Sequence, residues 1–318
     1  MFLVTGATGK IGRCLVKALL DRKEEVRVLI YGDEKVPFEN VEVFYGDIAD
    51  KETVRKAMYH CDTVFHLAAL VDYLAPKDLM YKVNVLGTKN VATFGRDRKV
   101  IYLSSTSVYG YKPKEMPITE KTPIKPSNVY GKTKYLAEKY ILDIGGIVVR
   151  SPIVFGEGFA SSYSEMFSLL KENKLPLIGS GSNFIHWIHI NDLIQALLLA
   201  ADNGKPGETY LVAGKDIKTL KALLEIACKY LNSSMPTKNV SKTLARLVAN
   251  YKVFTSRFTG KKPKLIPAYI DKIASNRTYD VSKAEKELNF KPTVDYETGI
   301  KEMVEEFLNK DKNNVSKN

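Results

Sequence analysis

Cysteine and histidine are scarce in this chain, with three of the first and four of the second. Cys14, Cys61 and Cys228 are odd in number, far apart and not at metal-ligand spacing. Neither a disulfide framework nor a thiolate zinc site is therefore expected; reduced thiols in a cytoplasmic protein are. Of His60, His66, His186 and His189, only the last two lie close enough to suggest a metal pair. With no further ligand at zinc spacing, structural or substrate-facing roles are the better reading, and no metal is expected. No apolar run reaches the roughly 18 residues that a membrane span needs. A cleavable presequence is not expected either, because Phe2-Leu3-Val4 already reads as a strand entering a glycine turn. Internal repeats and low-complexity segments are missing as well. Acid is also short, with 36 Asp and Glu against 48 Lys and Arg.

Part of that positive excess is local. Residues 238–264 hold eight Lys or Arg and no acid. Among them Leu244, Leu247, Val248, Tyr251, Phe254 and Phe258 recur at helical spacing. The preferred reading is a lid helix of a substrate lobe with a solvated basic face, in which Tyr251, Phe254 and Phe258 line or support an apolar pocket. A basic amphipathic helix lying on a membrane surface or over an anionic ligand is the alternative. No recognition motif accompanies the charge, so nucleic acid is not expected as a partner.

What is present suits a soluble enzyme, with 45% hydrophobic and 26% charged residues among 318, enough for one large domain or two unequal lobes. Strand-like runs at Phe2–Thr5, Val26–Ile30, Val41–Tyr45, Thr63–Leu67, Val100–Ser104 and Gly146–Arg150 alternate with helical patterns at Ile11–Arg22, Lys51–Tyr59, Met80–Gly95 and Ser127–Asp143. Such alternation predicts an α/β, doubly wound parallel sheet. After Arg150 the pattern becomes irregular, with helices at Asp192–Ala201, Leu220–Leu231 and Glu297–Leu308. The expected division is a sheet domain over 1–155, a smaller, mostly helical C-terminal substrate lobe over 156–308 with chain around 183–201 returning to the sheet, and a frayed tail over 309–318.

Two motifs carry chemistry. Thr5-Gly6-Ala7-Thr8-Gly9-Lys10-Ile11-Gly12 joins the first strand to the first helix, where glycines let the backbone approach a pyrophosphate favoured by the helix N-terminus. Tyr130-Gly131-Lys132-Thr133-Lys134 places a phenol and an ammonium on one helical face. A free tyrosine is a poor base near neutrality, and a neighbouring lysine charge favours its phenolate. Upstream, Leu103-Ser104-Ser105-Thr106-Ser107-Val108-Tyr109-Gly110 ends a buried strand, where such sheets place their ligand crevice.

Together these segments resemble the extended short-chain dehydrogenases, the NAD-dependent epimerase/dehydratase superfamily, and so imply a Rossmann-like fold. The resemblance runs from residue 1 to about 308. Tyr45-Gly46-Asp47-Ile48, His66-Leu67-Ala68-Ala69 and Asn84-Val85-Leu86-Gly87-Thr88-Lys89-Asn90 are similar to further family steps. The resemblance implies that Gly6, Thr8, Gly9, Lys10, Ile11, Gly12, Tyr31, Asp47, Ile48, Leu67, Ala68, Ala69, Asn84, Tyr130, Lys134, Pro152 and Val154 contact NAD or NADP. Ile30 and Tyr31 match neither cofactor's usual pattern. Asp33 is placed to reach ribose hydroxyls, and Lys10, Arg13 or Lys35 to meet a 2′-phosphate; NAD is slightly preferred. The resemblance also implies Ser105 as the catalytic hydroxyl, with Thr106 as runner-up, Tyr130 as proton carrier, and Lys134 as the residue that holds the ribose and tunes Tyr130. It further implies a homodimer paired through the helices at Met80–Gly95 and Ser127–Asp143.

Fold alone does not choose the reaction. Thr106 and Ser107 stand where sugar-nucleotide dehydratases carry acids. Ile153 and Ile185 stand where epimerases carry diphosphate-binding Asn and Arg. The ending Arg277-Thr278-Tyr279-Asp280-Val281-Ser282-Lys283-Ala284 resembles the 3β-hydroxysteroid dehydrogenase and dihydroflavonol reductase branch. The expected function is hydride transfer between the cofactor and a secondary alcohol or ketone, with an apolar substrate. A UDP-sugar 4-epimerase and a non-catalytic dinucleotide sensor are the alternatives.

Overall fold

A computed structural model describes residues 1–260, 263 and 265–315, with the backbone alone at Arg257 and at 311–315. Lys261, Lys262 and Lys264 of the basic segment, and residues 316–318 of the expected tail, lie outside the described residues.

The first half alternates as its hydrophobic pattern requires: β1 (Phe2–Thr5), α1 (Lys10–Asp21), β2 (Val26–Ile30), β3 (Glu42–Tyr45), α2 (Lys51–Ala57), β4 (Thr63–His66), α3 (Lys77–Tyr81), a π-helical turn at Lys82–Leu86, α4 (Gly87–Phe94), β5 (Lys99–Ser105), α5 (Val129–Asp143) and β6 (Ile147–Ser151). Later helices are α6 (Ala160–Lys171), α7 (Ile190–Asn203), α8 (Leu220–Leu231), α9 (Lys242–Thr259), α10 (Pro267–Ile273), α11 (Ser282–Leu288) and α12 (Tyr296–Val315). The last helix runs past Leu308 into the expected tail. Lys310 pairs there with Glu306 one turn back, the i,i+4 contact that prolongs a polar helix.

Two compact units result. The first comprises Met1–Ile153, Ile190–Ala213 and Tyr279–Thr293; the second comprises Val154–His189, Gly214–Thr278 and Val294–Asn318. The expected division differs at each edge. Two segments, not one, return to the sheet unit, and the first of them begins at Ile190, later than the expected 183.

In the first unit seven parallel strands lie in the order Thr209–Leu211, β6, β5, β4, β1, β2, β3. Strand order reverses between β1 and β4, which stay paired up to Thr5 and His66, so the chain leaves their C-terminal ends in opposite directions, where such sheets have their crevice. β2 and β6 are buried along their whole length, as the apolar runs Val28-Leu29-Ile30 and Ile147-Val148-Val149 require, and the arginines they also bury are ion-paired, Arg27 with Glu42 and Arg150 with Glu138. Leu3, Leu29, Val64, Val100 and Val148 form the core under α2, α4 and α5. In the second unit α6, α8 and α12 enclose Phe155, Phe167, Leu223, Leu224, Ile300 and Phe307. None of the described helices is long and apolar enough to cross a membrane.

The helix predicted in the basic segment forms as α9, but with the opposite face inward. Ala245 and Ala249 are buried against Ile270, while Tyr251, Phe254 and Phe258 are exposed. The expectation that these aromatic side chains line or support a pocket is therefore not met. The small alanines allow close approach to α10, and the large side chains are left outside.

Candidate active site

The crevice is built first from backbone. Gly6 has φ +72°, and a Cβ there would lie 2.7 Å from the Ala68 nitrogen, so only glycine lets the loop after β4 pack on the β1–α1 turn. A Cβ on Gly12 would collide with the Gly6 carbonyl. Gly9 is the N-cap of α1 and supplies no side-chain cap, and no acid stands in the first turn. Thr8, Lys10 and Ile11 complete this turn, which presents a helix N-terminus suited to a phosphate anion. Arg13, a candidate for a 2′-phosphate, donates from Nε to the Thr8 carbonyl at 2.8 Å.

His66 fastens the two sides of the crevice. Its Nε2 lies 2.9 Å from Thr88 Oγ1, and its Nδ1 lies 2.8 Å from Thr5 Oγ1. The Thr88 hydroxyl donates to the Asn84 carbonyl at 2.7 Å, so it accepts from His66 Nε2–H. The Thr5 hydroxyl then donates to Nδ1 and accepts the Ala68 N–H at 3.2 Å. This network requires a neutral imidazole. Desolvation, followed by the Lys134 charge, pulls its pKa down to about 3.

Asn84 lies fully buried in the π-helical turn, a local distortion frequent at functional sites. Its Oδ1 accepts from Leu70 N at 2.7 Å, and its Nδ2 donates to the Leu70 carbonyl and to Thr133 Oγ1, both at 3.0 Å. All of these contacts lie within the protein, tying the loop of Leu67, Ala68 and Ala69 to α5. Thr133 Oγ1 in turn donates to the Tyr130 carbonyl at 2.9 Å.

Helix α5 starts where Asn128 caps it, accepting from Gly131 N at 2.8 Å. A Cβ on Gly131 would lie 2.5 Å from the Ser107 carbonyl oxygen, so glycine after Tyr130 lets α5 press against the turn that follows β5. Ser105, the last residue of β5, caps that turn by accepting from Ser107 N at 3.1 Å. Ser105 and Tyr130 thereby come within hydrogen-bond reach, and Lys134 follows one turn along α5. Burial pushes the Tyr130 phenol up to about 12, and a hydrogen bond shared with Ser105 pulls it back. Lys134 is 2% exposed, donates to the Leu103 carbonyl at 2.6 Å and lies 4.0 Å above the Tyr102 ring. Desolvation lowers its ammonium to about 7, against an opposing pull from Glu138. The expected lowering of Tyr130 by Lys134 does not figure among the causes acting on the phenol.

The other sequence candidates are dispersed around this centre. Tyr31 follows β2 and is 68% exposed. Asp47 pairs with Lys82 at 3.2 Å and accepts from Ala49 N at 2.9 Å. The Ile48 side chain is core, pressed against Gly87, and its carbonyl accepts from Asn90. Pro152 follows β6, and Val154 opens the second unit, pairing with Ile188.

The motifs do not single out Tyr73, whose ring meets that of Tyr130 edge-on at 5.8 Å, or Thr133. The hydroxyl-to-carbonyl spacing from Thr133 to Tyr130 is the one signal available for either. Beneath the site, Arg150 makes a two-pronged ion pair with Glu138 at 2.7 and 2.9 Å, and Ser104 donates to the same carboxylate.

Residues 2–213 match the NAD dependent epimerase/dehydratase family, and residues 151–303 match a GDP-mannose 4,6 dehydratase model. The chain belongs to the NAD dependent epimerase/dehydratase family. A Sinorhizobium fredii protein described only as uncharacterized, y4nG, is 32% identical over 91% of this chain and 74% of its own. A Mycobacterium tuberculosis 3β-hydroxysteroid dehydrogenase/Δ5→4-isomerase is 25% identical over 91% and 85%. An Escherichia coli N-acetyl-α-D-glucosaminyl-diphospho-undecaprenol 4-epimerase is 25% identical over 88% and 87%. The Bacillus cereus UDP-glucuronic acid 4-epimerase, solved with NAD, superposes with a TM-score of 0.77 at 20% identity, covering 97% and 98% of the two chains. That likeness establishes the family fold.

Proposed function

We propose that this family member is an NAD-dependent oxidoreductase that interconverts an apolar secondary alcohol and its ketone. The observation that carries the reading is the hydrogen bond between Ser105, at the end of β5, and Tyr130, with a buried Lys134 one helical turn along α5.

The glycine turn and uncapped α1 N-terminus fit a dinucleotide pyrophosphate, and Asp33 without an arginine after β2 favours NAD over NADP. When bound, the nicotinamide supplies or accepts the hydride. Tyr130 passes a proton to or from the substrate oxygen, and Ser105 donates to that oxygen as negative charge develops. With the Tyr130 phenol near 12 in the cofactor-free protein, proton abstraction needs added positive charge nearby. A protonated Lys134, one turn along α5, would supply part of it and would hold the cofactor's ribose.

The choice of dehydrogenase over epimerase rests on what is absent from the diphosphate positions. Ile185 is buried in the core of the second unit, and Ile153 is likewise no donor. The similarity to the mycobacterial steroid dehydrogenase supports the apolar substrate class. A panel of hydrophobic secondary alcohols and ketones with NAD and NADP, followed at the nicotinamide absorbance, tests the reading. Net turnover with NAD is expected. Interconversion of a UDP-sugar without net cofactor change would overturn it in favour of the epimerase.

A further inference from the structure

We propose that the outward face of α9 docks on an anionic lipid bilayer. This proposal stands apart from the reading of the reaction, since it uses only a surface of the second unit. At 3.6 residues per turn, Leu244, Leu247, Val248, Tyr251, Phe254 and Phe258 fall within an arc of about 120°. Leu247 is 61% exposed, Phe254 55% and Phe258 77%, although Phe254 and Phe258 meet edge-to-face at 5.2 Å. Helices normally turn such a stripe into the core. Here the core is served by Ala245 and Ala249 against Ile270, and the large side chains lie outside that cluster. A contiguous apolar surface of this kind marks an interaction site.

Charge selects the occupant. Helix α9 contains Lys242, Arg246, Lys252 and Arg257 and no acid. One carboxylate, Asp271, serves two of them, lying 3.3 Å from Lys242 and 3.0 Å from Arg246. A second copy laid face to face would oppose like charges with no acid across from them. A bilayer with anionic headgroups offers hydrocarbon to the stripe and negative charge to its flanks at once. Leucine and aromatic side chains on one face of a basic helix are the composition of an interfacial helix. Docking would also hold the protein where an apolar alcohol or ketone is concentrated.

The test is co-sedimentation of the full chain with phosphatidylcholine vesicles, with and without phosphatidylglycerol, at low and high salt. Binding is expected only with phosphatidylglycerol, falling as salt rises. Lys252→Ala should lower the partition coefficient about fivefold. Leu247→Ser and Phe254→Ser should each lower it about tenfold. Circular dichroism and an unchanged melting temperature would show that these exposed variants still fold. Absence of phosphatidylglycerol-dependent binding overturns the proposal, and so does binding that all three variants retain. Self-association lost in Leu247→Ser, without vesicle binding, would assign the face to a second copy.

Discussion

At the scale of single side chains, the first unit holds a phenol, proposed to carry the proton, and a buried imidazole that joins Thr5 to Thr88. Tyr130→Phe keeps the ring that packs against Tyr73 and removes only the proton carrier. Turnover should fall by at least about a hundredfold with cofactor affinity retained, measured by steady-state rates and nucleotide titration. Near-normal turnover would remove Tyr130 from the mechanism. His66 makes a separate prediction about stability. Its folded pKa of about 3 lies below the unfolded value of 6.5. Between these values the unfolded chain binds a proton that the folded chain does not, so stability falls as pH drops from 6.5 towards 3. The loss by pH 4 should be on the order of 3 kcal/mol. Urea titrations across that range should show a shallower decline in His66→Gln; an unchanged slope would mean that the imidazole is not held neutral.

At the scale of elements, the π-helical turn at Lys82–Leu86 connects the loop after β4 to the helix that bears Tyr130. Asn84→Ala would remove the side-chain partner of the Leu70 backbone groups and the donor to the Thr133 hydroxyl, which keeps its bond to the Tyr130 carbonyl. A loss of about 1–3 kcal/mol in unfolding free energy is expected. NAD affinity should weaken with it, since the Leu67–Ala69 loop loses its tie; calorimetry on the variant checks both. This element also shows what sequence can and cannot express. The strands were legible because burial writes short apolar runs such as Val28-Leu29-Ile30 and Ile147-Val148-Val149, and the glycine turn because a close backbone approach leaves room for nothing but glycine. A helix over Met80–Gly95 was legible too. Its interruption by wider turns was not, since the change from i+4 to i+5 bonding leaves the apolar spacing almost unaltered. The three-residue strand Thr209–Leu211 is too short to show a period. For α9, amphipathicity was plain, but the sequence does not say which face is inward when alanines fit the neighbouring helix better than larger residues do. Ser105, Tyr130 and Lys134 stood out by motif. The hydrogen bonds of Lys134 with Leu103 and of Asn84 with Leu70 and Thr133 were hidden, because backbone carbonyls and distant hydroxyls leave no spacing signature.

For the molecule as a whole, the open question is what covers the outer faces of α3, α4 and α5. Leu79, Leu86 and Tyr140 are exposed there, and Lys89 lies 6.0 Å from the centre of the Tyr140 ring. Leu79 precedes the π-helical turn and Leu86 closes it. Exposed leucines and an aromatic ring on neighbouring helices suit a self-complementary surface, because a two-fold axis sets each such patch against its own copy. We therefore propose a homodimer built on these helices, with the lysines at the rim, where solvent screens them. Sedimentation equilibrium at micromolar concentration should give twice the chain mass. Leu86→Lys puts a charge at the centre of the contact and should raise the dissociation constant at least about a hundredfold, as loss of a central apolar anchor does. Lys139→Ala, a change to a neighbouring surface lysine, should leave it nearly unchanged. A monomer under these conditions, or a dimer indifferent to Leu86→Lys, would place the contact elsewhere. Ser105, Tyr130 and Lys134 all belong to the first unit of one chain. The dissociated variant should accordingly keep the Tyr130-dependent turnover, and lose instead the added melting temperature that mass action gives the dimer at high protein concentration.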